Sequence, residues 1–384
     1  MRPLIAVPTT AALVVRAYRR KSLTTWGILA ATATAIVHAY HPWNLPFALL
    51  IVFFLAGTRA THVKENVKAT LTMHSAGSSG GEGPRTHIQV LANSLVASVL
   101  SVLHAYQLSA RASKSHDPTC YPWGGDLLVV GIIANYAAVA ADTFSSELGI
   151  LSKSEPRLIT SLTLRKVPRG TNGGVTLLGL GAGLLGSAII VLASMFSLPM
   201  CTSPGNLLAD GGRGRPWSGE NRLLFAAAMT VWGALGSVLD SVLGAVFQRT
   251  VKDIRSGKVV EGEGGRRALV SAVSADQVAG GSTKRADAKA SLSKGEGRVD
   301  LKSLDDSAVD APSTESLAKF DPKNKHRKPS FGDERPSRVV ENGLDWFDNN
   351  EVNFIMAATM SIGAMALAGW FWDVPMQSII PAFT

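Results

Sequence analysis

The sequence predicts an all-α fold, a polytopic transmembrane helical bundle of about eight spans with a long disordered cytosolic loop. Three observations lead there. Of 384 residues, 46% are apolar and 17% charged, where soluble domains carry about a quarter charged residues. The charge is also concentrated, because positions 249–348 hold 36 of the 67 charged side chains. What remains falls into apolar runs close to the roughly 20 residues that a helix needs to cross about 30 Å of hydrocarbon. A soluble globular enzyme is excluded on these grounds.

Five runs are clearest, at 88–106, 127–144, 175–198, 223–247 and 352–372. Three more, at 3–15, 26–37 and 43–57, are shorter and compete with a signal peptide or a re-entrant pair. No convincing small-residue cleavage site follows the first, which is therefore read as retained. With eight spans, one set of short loops (16–21, 59–85 and 153–169) carries thirteen Lys/Arg and the opposite set five. The positive-inside rule places the thirteen in the cytosol and both termini on the far side. Cys120 and Cys201 then share the non-cytosolic face, where a disulfide can form; two free thiols are the other reading.

The chain divides into a membrane core over 1–248 (spans one to seven), a low-complexity cytosolic loop over 249–347, and the last span with the C-terminus over 348–384. The loop is rich in Gly, Ser, Lys, Asp and Ala and has no sustained period, so it should be disordered, and 264–336 should be dispensable for insertion. Its basic run at 323–328 reads as a solvated patch near acidic headgroups. The bilayer is the expected partner, and no nucleic acid is.

Ionisable groups inside spans are costly and so mark functional candidates. Asp142 falls in the last turn of the fifth span with Glu147 at its mouth. Asp240 lies seven residues from the end of the seventh, about 10 Å deep at about 1.5 Å per residue. An interfacial, snorkelling charge is the blander reading, hardest to sustain for Asp240. The loop KVPRGTNGGVT (Lys166, Arg169, Gly170, Thr171, Asn172, Gly173, Gly174) leads into the sixth span, where glycines and free helix amides suit a phosphate cradle. It has no Walker spacing, and a tight turn capped by Thr171 or Asn172 is the alternative. Two further clusters map to the same face. One runs from Gly80 through Arg85 to Gln89 and Asn93, the other comprises Asp348, Asn349, Asn350 and Asn353.

Five blocks, HIQVLANS, ANYAAVAADTFSSELG, RKVPRGTNGGVT, VLDSVLGAVFQ and WFDNNEVN, resemble in order those of the transmembrane protein 19 family of uncharacterised integral membrane proteins. The resemblance covers about 22–372, except the low-complexity loop; Ala141 departs from the Gly usual before the Asp. That family is similar to a plant plastid branch of phytyl-phosphate kinases and, more distantly, to CTP-dependent polyprenol kinases. The resemblance implies transfer of a phosphoryl group from a nucleoside triphosphate, CTP or ATP, to an isoprenoid lipid substrate at the cytosolic helix ends of an endoplasmic-reticulum or other endomembrane protein. Asp142, Glu147 and Asp240 would be catalytic and hold Mg²⁺ through oxygen ligands. The 170–174 amides with Lys166 and Arg169 would meet the phosphate, helped by Arg85, Asn93, Asn349, Asn350 and Asn353. A transporter or flippase is the alternative, marked by polar residues continuing through the midplane; a non-enzymatic membrane protein is the third reading.

Overall fold

The computed structural model describes residues 3–74, 83–112, 120–202, 214–254, 256–268 and 338–380. Eight long helices occur among them: α1 (Pro3–Arg20), α2 (Thr25–Tyr40), α3 (Leu45–Thr61), α5 (His87–Ala112), α6 (Leu127–Gly149), α7 (Leu177–Ser197), α8 (Gly219–Phe247) and α9 (Asn349–Trp372). A short α4 (Glu65–Leu71) follows α3 at a bend of 66°. Five helices, α5 to α9, are long and apolar enough to cross a membrane, or six spans if α3 and α4 count as one broken span. Of the eight spans expected from sequence, five or six meet that test of length and composition. Helix α1 is long enough at 18 residues but carries Arg16, Arg19 and Arg20, while α2 and α3 are short at 16 and 17 residues.

Helix α6 is the axle of the bundle. Apart from Asn135, its stretch Leu127–Ala141 is apolar on every side, which suits a segment with no solvent or lipid face, and every residue of it is buried. Its alanines let neighbours come in close. A Cβ on Gly186 of α7 would lie 2.5 Å from the Ala140 carbonyl oxygen, and one on Gly236 of α8 would lie 2.6 Å from the Ala138 Cβ. Small residues at such seams are how membrane helices gain packing when apolar burial alone offers no advantage. The outward faces carry large apolar groups instead, among them Leu177, Phe196, Leu223 and Trp370. So much exposed hydrocarbon suits only a lipid environment.

One end of the bundle is closed by a disulfide between Cys120 and Cys201. Backbone bonds stitch the same loops together, from Cys201 N to Tyr121 O (3.0 Å) and from Trp217 N to Cys201 O (2.8 Å). Trp123, Trp217 and Trp372 pack edge-to-face over the seam. The bridge spans a sequence separation of 81, so in the chain-entropy account it contributes up to about 4.5 kcal/mol. We predict that neither cysteine reacts with a thiol reagent before reduction and that Cys201→Ser lowers the midpoint of heat denaturation in detergent. Labelling of either cysteine without prior reduction would contradict the bridge.

The opposite end carries a small sheet. Strands β1 (Met73–His74), β4 (Thr250–Asp253), β5 (Val259–Glu261) and β6 (Arg338–Asn342) lie in the order β1-β5-β4-β6, with β1 parallel to β5 and the other pairs antiparallel. Val251, Val260 and Ala268 form its core. A separate two-stranded ribbon pairs β2 (Arg157–Leu158) with β3 (Gly174–Val175). The sheet corrects the expectation of an unstructured 249–347: both ends of that segment are paired strands, because Val251, Val259 and Val260 find apolar partners on one another and on Met73. Residues 269–337, with the basic run 323–328 and most of the segment expected to be dispensable, lie outside the described residues. Gly264 and Gly265 are described and pack against Thr86 and Asn350, so a deletion beginning at 264 would cut into the fold.

Candidate functional site

The sheet end encloses a cavity of about 390 Å³. Asp142 and Asp240 form its floor. Each lies seven residues before the C-terminal end of its helix, α6 and α8, so both are about 10 Å inside at about 1.5 Å per residue. Because α6 and α8 pack through Gly233 and Gly236, the two carboxyl groups come into hydrogen-bond contact. Asn353 of α9 completes the group. With its amide nitrogen turned inward, it donates to Asp240 Oδ1 at 3.1 Å and to the Asn349 carbonyl at 3.1 Å; that orientation is assigned from its partners.

Glu147 does not join them. Its carboxylate is held by Lys68 of α4, which also donates to the Thr61 carbonyl, and Arg85 Nη2 stands 4.0 Å away. Lys68 and Glu147 are both about nine-tenths buried, so the pair is a structural lock on the wall of the cavity. Among the described residues no group of three acidic, His or Cys side chains is placed to hold a metal. Of the expected Asp142, Glu147 and Asp240, the structure brings the two aspartates together and leaves Glu147 on Lys68. The physical reason is helical phase: residues five apart sit about 140° apart around a helix, and α6 runs on to Gly149.

The loop before α7 lines the cavity with Gly170, Thr171, Asn172, Gly173 and Gly174, but its amides are mostly engaged. Thr171 N bonds Pro168 O (3.2 Å), Gly174 N bonds Thr171 O (2.9 Å) and Asn172 N bonds Thr250 Oγ1 (3.1 Å). The cap of α7 is Thr176, whose hydroxyl accepts from Gly179 N at 3.0 Å, and neither Thr171 nor Asn172. The glycines serve packing: Gly173 has φ +76°, and a Cβ there would meet Ala245 and lie 2.7 Å from the Ser241 carbonyl oxygen. Lys166 turns outward to Glu155 (2.8 Å, both side chains over 60% exposed), and Arg169 reaches the Lys153 carbonyl (3.4 Å). Neither lines the cavity.

The positive charge comes from elsewhere: Lys68, Arg85, Arg249, Arg266 and Arg267 all line it. Arg249 is braced by Asp345 (3.3 Å) and the Ala268 carbonyl (3.2 Å). Of the remaining expected residues, Asn93 and Asn349 line the cavity. Asn350 is buried and bonds Gly264 O at 3.1 Å, a structural role within the capping box of Asp348 and Glu351. Residues 80–82 lie outside the described residues, while Gly83, Arg85 and Gln89 line the wall.

Sequence reasoning missed a second polar network near the disulfide end. Trp43 N donates to His41 Nδ1 (3.0 Å), which leaves His41 Nε2 to donate to His104 Nδ1 (2.8 Å). His104 Nε2 then faces Asp126 Oδ2 (3.2 Å), and Arg111 grips both Asp126 oxygens. Deeper in, His38 Nε2 meets the Tyr136 hydroxyl at 2.7 Å. Burial, reinforced by His104, lowers the His41 pKa to about 3. Burial opposes ionisation of Asp126, yet its bonds to His104 and Arg111 outweigh this and hold its carboxyl below the usual carboxylate range. Between about pH 6.5 and 3 unfolded His41 takes up a proton that the folded form refuses, so stability falls as pH falls, by at most about 1.4 kcal/mol per unit. We predict that His41→Gln flattens this slope in thermal-denaturation scans over that window; an unchanged slope would contradict it.

These features define an α-helical integral membrane protein with a polar, acid-floored chamber at one end of the bundle. Comparison with known proteins gives the family. The chain belongs to the integral membrane protein DUF92 family, whose model matches residues 8–361. Protein PGR of Arabidopsis thaliana is 35% identical over 248 residues, spanning 64% of this chain and 79% of that one. The uncharacterized membrane protein MJ0933 of Methanocaldococcus jannaschii is 27% identical over 249 residues, 65% of this chain and 84% of its own length. Protein VTE6, chloroplastic, of Arabidopsis thaliana is 28% identical over 202 residues, 53% of this chain and 49% of its own. No solved structure gives a significant match.

Proposed function

We propose that this protein is a Mg²⁺-dependent lipid kinase that transfers the terminal phosphoryl group of CTP or ATP to a prenyl alcohol or prenyl phosphate. The observation that carries the reading is the Asp142 and Asp240 pair, in contact at the floor of a cavity ringed by cationic side chains. Two touching carboxyl groups need either a shared proton or a cation between them. Their oxygens are the hard donors that suit Mg²⁺, which commonly takes one or two carboxylates together with substrate phosphates. A bound ion would supply neutralisation of phosphate charge, the main catalytic task in phosphoryl transfer. Asn353 orients Asp240, as outer partners of ligating carboxylates do. Arg85, Arg249 and Arg266 hold the polyphosphate against the wall. The acceptor oxygen forms the new O–P bond as the bond to the nucleoside diphosphate breaks, and where the acceptor is an alcohol its proton passes to the acid pair.

This reading puts the sheet end in the cytosol, where the basic loops belong, and has α1, α2 and α3 also cross, giving eight spans in an endomembrane. Labelled CTP or ATP, Mg²⁺ and a panel of prenyl alcohols and monophosphates test it on the purified protein. Label in the lipid product supports the reading, and no transfer to any member of the panel removes it. A transport reading draws on the buried His38, Tyr136, His41 and His104 groups, which extend polar contacts toward the disulfide end. Nucleotide-free flux of a lipid phosphate across proteoliposomes would favour it instead.

A further inference from the structure

A second cavity of about 370 Å³ lies among α2, α3 and α5. Its walls include Ala31, Leu50, Phe53, Phe54 and Val90, with Arg20 and Lys21 also on its lining. Thr61, Glu65, Gly83, Arg85, Gln89 and Asn93 line both this cavity and the acid chamber, so the two spaces adjoin along one shared wall. Arg85 stands on that wall. Its guanidinium donates to Thr61 Oγ1 at 2.9 Å. Its backbone is fixed to the turn before α2, with Arg85 N bonding Ser22 O (3.0 Å) and Thr24 N bonding Arg85 O (3.0 Å). The approach is tight, since a Cβ on Gly27 would lie 2.5 Å from the Arg85 carbonyl oxygen. The fold thus holds an arginine in a set place where an apolar trough meets a polar chamber.

An occupant matching both spaces has an anionic head and a hydrocarbon chain. The trough sits near the lower end of the roughly 300–1,000 Å³ range of small-molecule pockets, which suits one chain better than two. Cationic side chains at its lining match an anionic headgroup at the membrane surface. We infer that the trough holds the hydrocarbon chain of a single-chain lipid phosphate, whose head passes Arg85 to reach Asp142 and Asp240. This inference rests on the lipid-kinase reading and names where its acceptor lies.

The test uses the full chain in nanodiscs and hexadecyl phosphate carrying a diazirine at mid-chain. After irradiation, label should map to the α2, α3 and α5 faces bearing Ala31, Phe53, Phe54 and Val90, and unlabelled hexadecyl phosphate should compete it away. Ala31→Trp, which fills the trough, should lower labelling at least tenfold. Arg85→Gln should weaken capture of the phosphate probe about tenfold while leaving a hexadecanol probe unaffected. Label spread over the outward leucines of α7, or equal competition by double-chain phosphatidic acid, would overturn the inference; the mapping needs no variant to fold. Phosphoryl transfer measured on the same samples separates the two ideas. Trough labelling without transfer keeps the binding site and removes the kinase reading, whereas transfer with labelling elsewhere removes the trough alone.

Discussion

Asp240→Asn should lower phosphoryl transfer at least a thousandfold and leave the amount of folded protein unchanged. Loss of one preorganised electrostatic group costs about 10² to 10³ in rate, and a carboxylate that also helps to hold a cation belongs at the upper end. Asp142→Asn should do the same. The double variant should be little worse than either single one, because groups that act as a unit are strongly non-additive. Thermal denaturation without Mg²⁺ supplies an independent readout. Without a cation the pair must share a proton, and an Asn in place of either acid removes that constraint, so stability should stay level or rise. Activity within tenfold of wild type in either variant would end the role proposed for the pair.

Lys68→Met should destabilise the fold by about 3 kcal/mol, the lower end of the 3–5 kcal/mol typical when one partner of a buried ion pair is removed. The lower end applies because Arg85 stands 4.0 Å from Glu147 and can take over part of the compensation. Adding Glu147→Gln should restore most of the loss, since the uncompensated charge is then gone. The double variant should also keep phosphoryl transfer. A dead double variant would return Glu147 to the catalytic group, and one as unstable as Lys68→Met would show that the pair is not the lock described.

The helices were legible because a long apolar run has few alternatives in a chain this hydrophobic, and Asp142 and Asp240 stood out because acids inside such runs are rare. Glu147 misled because the fifth span was ended at Phe144; continued to Gly149, its helical phase separates it from Asp142. Lys68 looked like one more basic loop residue, since its partner is 79 positions away. Nothing local signals the pairing of His41 with His104 for the same reason, the two being 63 positions apart. The sheet was hidden by background. Its strands are two to five residues long in a charged, glycine-rich stretch, and the β1 to β5 pairing joins Met73 to Val260, a match that no local period reveals. The glycine loop showed a further limit. Its composition suits a phosphate cradle, but whether its amides are free depends on neighbours such as Thr250 that sequence spacing cannot supply.

The strand pairing at the sheet end also bears on how the chain tolerates change. Ala268 is packed into the sheet core, and Arg338 is paired with Asp253 on β4, so the two stems of the intervening segment are tied to the same small scaffold. Closing a longer loop costs little once its ends are pinned, about 0.6 kcal/mol for each doubling of length. A fluorescent reporter inserted between 268 and 338 should therefore leave the chamber intact, because the residues on either side stay pinned to the sheet.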